Sequence, residues 1–386
     1  MTKETTAGPR LSYWEKEIYF KQTDVFIIGS GIVGLSTAIS IKEKQPSLKV
    51  TVLERGALPM GASTRNAGFA CFGSMTELIE DSKRDGESAM LALVERRFRG
   101  LELLKKRIAP EKMNYKANGG FEIFRADDQE SFEECAASLA YFNKLVSPVT
   151  GLQETYKLVD HKVNDFGFKG IEHIIHNQGE GELHTGKMMD ELYFLALKHE
   201  VRIVNGINIE KFETDKEGVT LFTDMGWELS AKKLVLATNG FSKNLIPDIE
   251  VISARNQVLI TEPIPNLKIQ GCFHYDRGYY YFREIDQRIL IGGGRNLSSS
   301  TETTSAFGIN NMIQGALSQL LRTTILPNIP FEIDMKWSGI LGLGPEKKPI
   351  LKKWGEHVVI AVRMGGMGVA IGSLIGEEAA DLVLSH

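Results

Sequence analysis

Four groups of residues in this chain have types and spacings that could do chemistry. The first is Gly29-Ser30-Gly31-Ile32-Val33-Gly34, with Glu54 twenty positions after its last glycine. A G-x-G-x-x-G where a strand turns into a helix suits a pyrophosphate. Gly29 makes the tight turn, Gly31 lets backbone N–H groups approach the phosphates, and Gly34 lets helix pack closely on strand. Ile32 and Val33 open the helix, whose N-terminus adds partial positive charge. Glu54, followed by Arg55, can accept hydrogen bonds from a ribose 2′-hydroxyl and would repel a 2′-phosphate. NAD and FAD both fit this first group.

The second group is Gly61-Ala62-Ser63-Thr64-Arg65-Asn66-Ala67-Gly68. Its small residues permit close approach of backbone to a flat ligand, while Arg65 and Asn66 offer a charge and amide donors. The third is Arg363-Met364-Gly365-Gly366-Met367-Gly368-Val369, a glycine run that leads into a small-residue helix. The fourth is Gly278-Tyr279-Tyr280-Tyr281-Phe282-Arg283, where strand alternation puts Tyr279, Tyr281 and Arg283 on one face. Aromatic walls and one cation suit an amine, and Arg283 could clamp a carboxylate with two parallel bonds. Arg255, Gln257 and Arg363 are weaker candidates for substrate contact, and His184 and His274 read as structural.

These groups need elements to hold them. Val25–Ile28 reads as a buried strand, the following Ile32, Leu35, Ala38, Ile39 and Ile41 as a helix, and Leu48–Leu53 as the next strand, giving a βαβ unit. A helical stretch over Met75–Ile108, a strand over Gly119–Arg125 and a helix over Lys187–His199 follow. The apolar strand 233–237 ends at Ala237-Thr238, and residues 251–295 alternate as an antiparallel sheet. Val358–Val362 is again a buried strand. The expected architecture is α/β: a Rossmann-type nucleotide-binding domain, discontinuous in sequence over 20–85, 180–245 and 335–386, and a β-rich antiparallel-sheet substrate domain over 86–179 and 246–334.

At 386 residues with 24% charged and 42% hydrophobic residues, the chain is of ordinary globular composition. The 45 basic and 49 acidic residues leave a net charge of −4, with no basic patch to bind nucleic acid. Cys71, Cys135 and Cys272 are odd in number and far apart, so neither a disulfide framework nor a metal site is expected. The polar N-terminal stretch 1–24 carries no signal-peptide core, and no run is long enough to be a transmembrane helix. A cytoplasmic location is the expectation.

The second group resembles the D-amino-acid oxidase/glycine oxidase superfamily of flavoproteins, in which a segment like 61–68 runs along the FAD. Trp337-Ser338-Gly339 resembles that family's loop beside the flavin ring, the run 363–369 its last-helix N-terminus near the flavin C2 carbonyl, and Leu236–Phe241, with Ala237 and Thr238, the strand that closes its nucleotide site. The start SYWEKE, the GASTRNAG run and the late helix are most similar to the branch of D-amino-acid dehydrogenases and gamma-glutamylputrescine oxidoreductases. The resemblance implies FAD as cofactor and oxidation of the C–N bond of an amine or amino acid by hydride transfer to flavin N5. The imine formed would hydrolyse in water.

Departures from the family qualify this. Glycine oxidase has substrate-binding arginines where this chain has Leu341 and Gly366, and the oxygen-activating lysine of sarcosine oxidase aligns with Leu290. No cysteine stands near the C-terminus for a covalent flavin link, so the FAD is expected to be non-covalent. The electron acceptor stays open between oxygen and a quinone. A flavin-binding protein without amine turnover, or a nicotinamide-dependent dehydrogenase, are the alternatives.

Overall fold

The computed structural model describes residues 10–385; the first nine residues of the polar N-terminal stretch lie outside them. Nineteen strands and nine α-helices are found among the described residues. The strands are β1 Val25–Ile28, β2 Val50–Glu54, β3 Phe69–Ala70, β4 Gly120–Phe124, β5 Tyr156–Leu158, β6 His173–Asn177, β7 Gly181–Glu182, β8 Arg202–Asn205, β9 Ile209–Thr214, β10 Val219–Thr223, β11 Glu228–Ala231, β12 Lys233–Leu236, β13 Ile252–Thr261, β14 Cys272–Tyr275, β15 Tyr280–Ile285, β16 Arg288–Gly293, β17 Ile333–Leu343, β18 Ile350–Trp354 and β19 Val358–Val362. The helices are α1 Tyr13–Glu15, α2 Ile32–Lys44, α3 Met75–Asp85, α4 Glu87–Arg107, α5 Gln129–Thr150, α6 Lys162–Phe166, α7 Thr185–Lys198, α8 Asn311–Leu320 and α9 Gly368–Leu384.

One sheet has six strands in the order β18-β19-β12-β1-β2-β8. Its strands β19, β12, β1, β2 and β8 are all parallel, with Phe26 opposite Leu234 and Thr51. Strands buried on both faces are continuous apolar runs, and β1 and β19 are buried at every residue. Helix α2 packs on α9 so closely that a Cβ at Gly376 would sit 2.5 Å from Ser36 Cβ. Strands from both ends of the chain therefore share one core.

The second sheet has eight strands in the order β17-β13-β16-β15-β14-β4-β6-β5. It is antiparallel except where β14 runs parallel to β4. One face buries Phe121, Phe273, Phe282, Ile291 and Leu259 against α8 and the loops. The opposite face turns Tyr281, Arg283, His274 and Asn256 towards residues 66–75 and 180–183.

Several details depart from the expectations. The stretch Met75–Ile108 is two helices, divided at Gly86 with φ +84°, a conformation that favours glycine. Trp337-Ser338-Gly339, likened to a loop, belongs to the long strand β17, which pairs with β13 along its length. That strand lies within 335–386 yet belongs to the larger sheet, whereas α4, within 86–179, packs Gly100 on Ala370 of α9. Tyr279 precedes β15 in a turn whose Asp276, Arg277 and Gly278 all have positive φ, and it is 44% exposed.

Candidate active site

An elongated cleft of about 1240 Å³, counting its open mouth, runs along the ends of the parallel strands. The βαβ turn lines it with Gly29, Gly31, Ile32 and Val33, and the end of β2 with Glu54 and Arg55. Ala62, Ser63 and Asn66 come from the small-residue segment, Ala237 and Thr238 from the end of β12, and Gly366, Gly368 and Val369 from the start of α9. Three glycine-bearing segments far apart in sequence thus meet at one cleft.

The local geometry shows why these residue types stand here. A Cβ at Gly29 would lie 2.8 Å from Ala237 O, and one at Gly34 would lie 1.9 Å from Gly29 O. Gly34 does not line the cleft; it lets α2 sit against the turn. Gly31 has a role the motif alone does not disclose. Its Cβ would meet Ser63 Oγ at 2.7 Å, and that hydroxyl accepts a hydrogen bond from Ile32 N at 2.9 Å. Glu54 accepts from Ser30 N at 3.1 Å, Ser30 Oγ at 2.9 Å and Gly56 N at 3.0 Å, so its carboxylate is held rigidly at the cleft.

Asn66 shapes its own segment. Its side-chain amide donates to Ser63 O at 2.8 Å, and its Oδ1 accepts from Gly68 N at 2.8 Å and from Thr185 Oγ1 at 2.9 Å. Arg65 turns away from the cleft lining, donating to Ser338 O at 3.0 Å and lying over the Phe307 ring. Trp337 Nε1 donates to Arg65 O at 3.1 Å, and a Cβ at Gly339 would touch Arg65 Cβ at 3.4 Å, so β17 is docked on this segment. Gly365 and Met367 do not line the cleft. Gly365, with φ +60°, belongs to the turn that aims α9, and Met367 is the N-cap residue of that helix.

Beside the cleft, on the inner face of the larger sheet, lies a small aromatic and amide patch. Tyr281 Oη accepts from Asn256 Nδ2 at 2.9 Å, and Phe69 meets the Tyr281 ring edge-on at 5.5 Å. Gly292 makes room for the phenol, because a Cβ there would stand 2.4 Å from Tyr281 Oη. Burial pushes the Tyr281 phenol well up from its ordinary value, so it stays protonated. Asn256 pairs with Gly339, next to the cleft-lining Ile340 and Leu341.

The cations expected near substrate are otherwise engaged. Arg283 is 3% exposed and donates to Leu183 O at 2.7 Å, Gly68 O at 3.0 Å and Ala67 O at 3.4 Å, with Glu182 Oε2 at 3.8 Å. Arg255 and Gln257 face the other side of β13, where both bind the buried Glu302. Arg363 donates to Lys348 O and Glu250 O. The residue of β13 that faces Tyr281 is Asn256, between the two weaker candidates Arg255 and Gln257. Asn256, Phe69 and Gly292 were missed, and Phe241, the end of the 236–241 segment, lines the cleft with Arg55 stacked over it at 3.8 Å. Only Gly292, within a three-glycine run, left any mark in the sequence.

The cleft fits a dinucleotide cofactor on its own evidence. The N-caps of α2 and α9, Gly31 and Met367, make no side-chain capping bond, and both helix starts line the cleft. Apart from Ile32 N, which donates to Ser63 Oγ, first-turn N–H groups at two helix N-termini face negative charge at two places along one ligand. The family model for FAD dependent oxidoreductase matches residues 24–382, and the chain belongs to that family of FAD-dependent enzymes. The nicotinamide-dependent alternative is set aside by this match.

Among curated proteins, the chain is 23% identical to the probable oxidoreductase OrdL of Haemophilus influenzae, covering 94% of this chain and 83% of that protein. It is 22% identical to the bifunctional protein ThiO/ThiG of Synechocystis, over 94% of this chain and only 52% of that longer protein. Among solved structures, L-proline dehydrogenase from P. horikoshii superposes with a TM-score of 0.75 at 18% identity, over 94% of this chain and 93% of that one. Glycine oxidase from Geobacillus kaustophilus follows with a TM-score of 0.73 at 18% identity, over 93% and 94%. These two likenesses show the shared mixed α/β fold. No helix among the described residues is long and apolar enough to cross a membrane.

Proposed function

We propose that this FAD oxidoreductase oxidises the C–N bond of a small amine or amino acid, with non-covalent FAD held in the cleft and the substrate on the Tyr281–Asn256 patch. The observation that carries the reading is the position of that patch: Phe69 stands three residues after the cleft-lining Asn66, and Asn256 pairs with Gly339, one residue before the cleft-lining Ile340. The names of the relatives, which include a glycine oxidase and a proline dehydrogenase, support an amine-type donor. In this reading the FAD part draws on 20–85, 180–245 and 335–386 and the substrate part on 86–179 and 246–334.

The N–H groups at the start of α2 bind the pyrophosphate and Glu54 orients the ribose. The N-terminus of α9 favours negative charge at the other end of the cleft. When bound, the flavin would supply the acceptor for the hydride, and with it the two electrons, lost by the substrate carbon. Phe69 and Tyr281 wall the substrate and exclude water, while the Tyr281 hydroxyl and Asn256 amide orient its nitrogen as the free base. The imine product leaves to be hydrolysed in solvent. Anaerobic mixing of the purified yellow protein with a panel of amines and amino acids tests this. Bleaching of the flavin by at least one C–H amine donor is expected; no bleaching across the panel, with FAD bound, would leave a flavoprotein without amine turnover.

A further inference from the structure

Cys71, Glu180 and His274 come from three separate stretches of chain and line no part of the cofactor cleft. Their ligand atoms nevertheless lie within 4.8 Å of one another. Cys71 is 2% exposed and Glu180 1%. Glu180 Oε1 accepts from Phe72 N at 2.8 Å and Gly73 N at 2.9 Å, which orients the carboxylate. Its Oε2 stands 4.0 Å from His274 Nε2. That nitrogen is enclosed and has no hydrogen-bond partner, an exception to the rule that buried polar atoms are paired. Gly120 provides the room, since a Cβ there would lie 2.0 Å from Glu180 Oε2. A small cavity with Ser74, Glu122 and Asn177 in its wall adjoins both Glu180 and His274 and is polar enough for a water.

We propose that Cys71, Glu180 and His274 form a buried site for one divalent transition-metal ion of the zinc type, separate from the flavin reaction. Sulfur, nitrogen and oxygen donors together are the set zinc accepts, at about 2.0–2.3 Å from the ion, with the fourth tetrahedral place taken by water from the adjoining cavity. Ligand atoms of such a site stand roughly 3.3–3.8 Å apart, so His274 and Glu180 close by about half an ångström.

The charges balance. Binding sends the thiol and carboxyl protons to solvent, and the thiolate and carboxylate left behind match the two positive charges beside a neutral imidazole. The interior then gains no net charge, which is the condition for burying ions at low cost. Cys71 directly follows β3, and His274 lies opposite Tyr281 in the sheet. The ion would tie the segment behind residues 61–68 to the larger sheet.

The test is a metal count on the intact flavoprotein, incubated with excess zinc chloride, desalted and analysed by plasma mass spectrometry. One zinc per chain is expected in the wild type and in Cys135→Ser, and less than a tenth of that in Cys71→Ser and His274→Gln at unchanged FAD content. Cobalt(II) gives a second readout that needs no variant: intense tetrahedral thiolate ligand-field bands to the red of the flavin absorbance. Zinc below a tenth per chain in the wild type, equal zinc in the variants and the wild type, or only the weak bands of six-coordinate cobalt would each overturn the proposal.

Discussion

Replacing Arg283 by alanine separates a guanidinium that holds the protein together from one that holds a substrate. In the structure its donors go to Leu183 O, Gly68 O and Ala67 O, and Glu182, fully buried, stands 3.8 Å away. Alanine would take the side-chain donor from Leu183 O and Ala67 O, leave Gly68 O only the Leu183 N–H, and leave the buried Glu182 without its nearest cation, with Asn118 Nδ2 as its remaining donor. Breaking a buried pair from one side costs about 3–5 kcal/mol. With an unfolding entropy of about 2.1 cal/mol/K per residue, a chain of this length should lose about 4–6 °C in Tm. FAD should also dissociate more readily, since Gly68 and Ala67 end the segment that lines the cleft. Adding Glu182→Gln removes the stranded charge and should recover part of the loss. Thermal melts with flavin release as a second signal measure both effects. If Arg283→Ala keeps its Tm within about 1 °C and its FAD, but loses upward of 30-fold in kcat/KM for carboxylate-bearing amines alone, the guanidinium is a substrate clamp and this reasoning fails.

Gly31→Ala should lose FAD, because the new methyl meets Ser63 Oγ at 2.7 Å; adding Ser63→Ala should restore part of the binding, read by flavin content after gel filtration. Glu302 is held down to about 2 although burial raises it, by hydrogen bonds from Arg255, Gln257 and Asn310 and by the Arg255 charge. Because its folded value lies below the usual 4.5, its stabilisation is present above pH 4.5 and lost as pH falls towards 2. Urea midpoints for wild type and Glu302→Gln should therefore differ most above pH 4.5 and converge near pH 2, and a constant gap would refute the assignment. Leu290, buried on β16 opposite Arg283, offers no charge for oxygen activation, so stopped-flow reoxidation by a quinone or dye should outpace that by air. An equal or faster rate in air would count against it.

The elements legible in the sequence were those with an unambiguous period. β1, α2, β12 and β19 lie where their apolar runs place them, because parallel strands buried on both faces cannot be mistaken for loops. Helices α5 and α8 left no comparable mark amid their mixed composition, and β17 was hidden because its Trp-x-Gly run reads as a turn. The glycine segments at the cleft were visible because backbone proximity admits only glycine at Gly29 and Gly34. The substrate face was less so. Alternation put Tyr281 and Arg283 on one face, but which polar groups are already taken by carbonyls and carboxylates depends on strands and loops hundreds of residues away.

The packing of α2 on α9 bears on how the chain is made. Gly372 and Gly376 bring the late helix into contact with Ile32, Val33 and Ser36, and β1 pairs on one side with β12, which in turn pairs with β19. At about 5–20 residues per second, ribosomes need roughly 17 to 66 s to travel from β1 to β19. For that interval the face of α2 that α9 covers, and the far edge of β12, lack their partners. The start of α9 also lines the cofactor cleft, so the cleft is complete only after that late helix has been made.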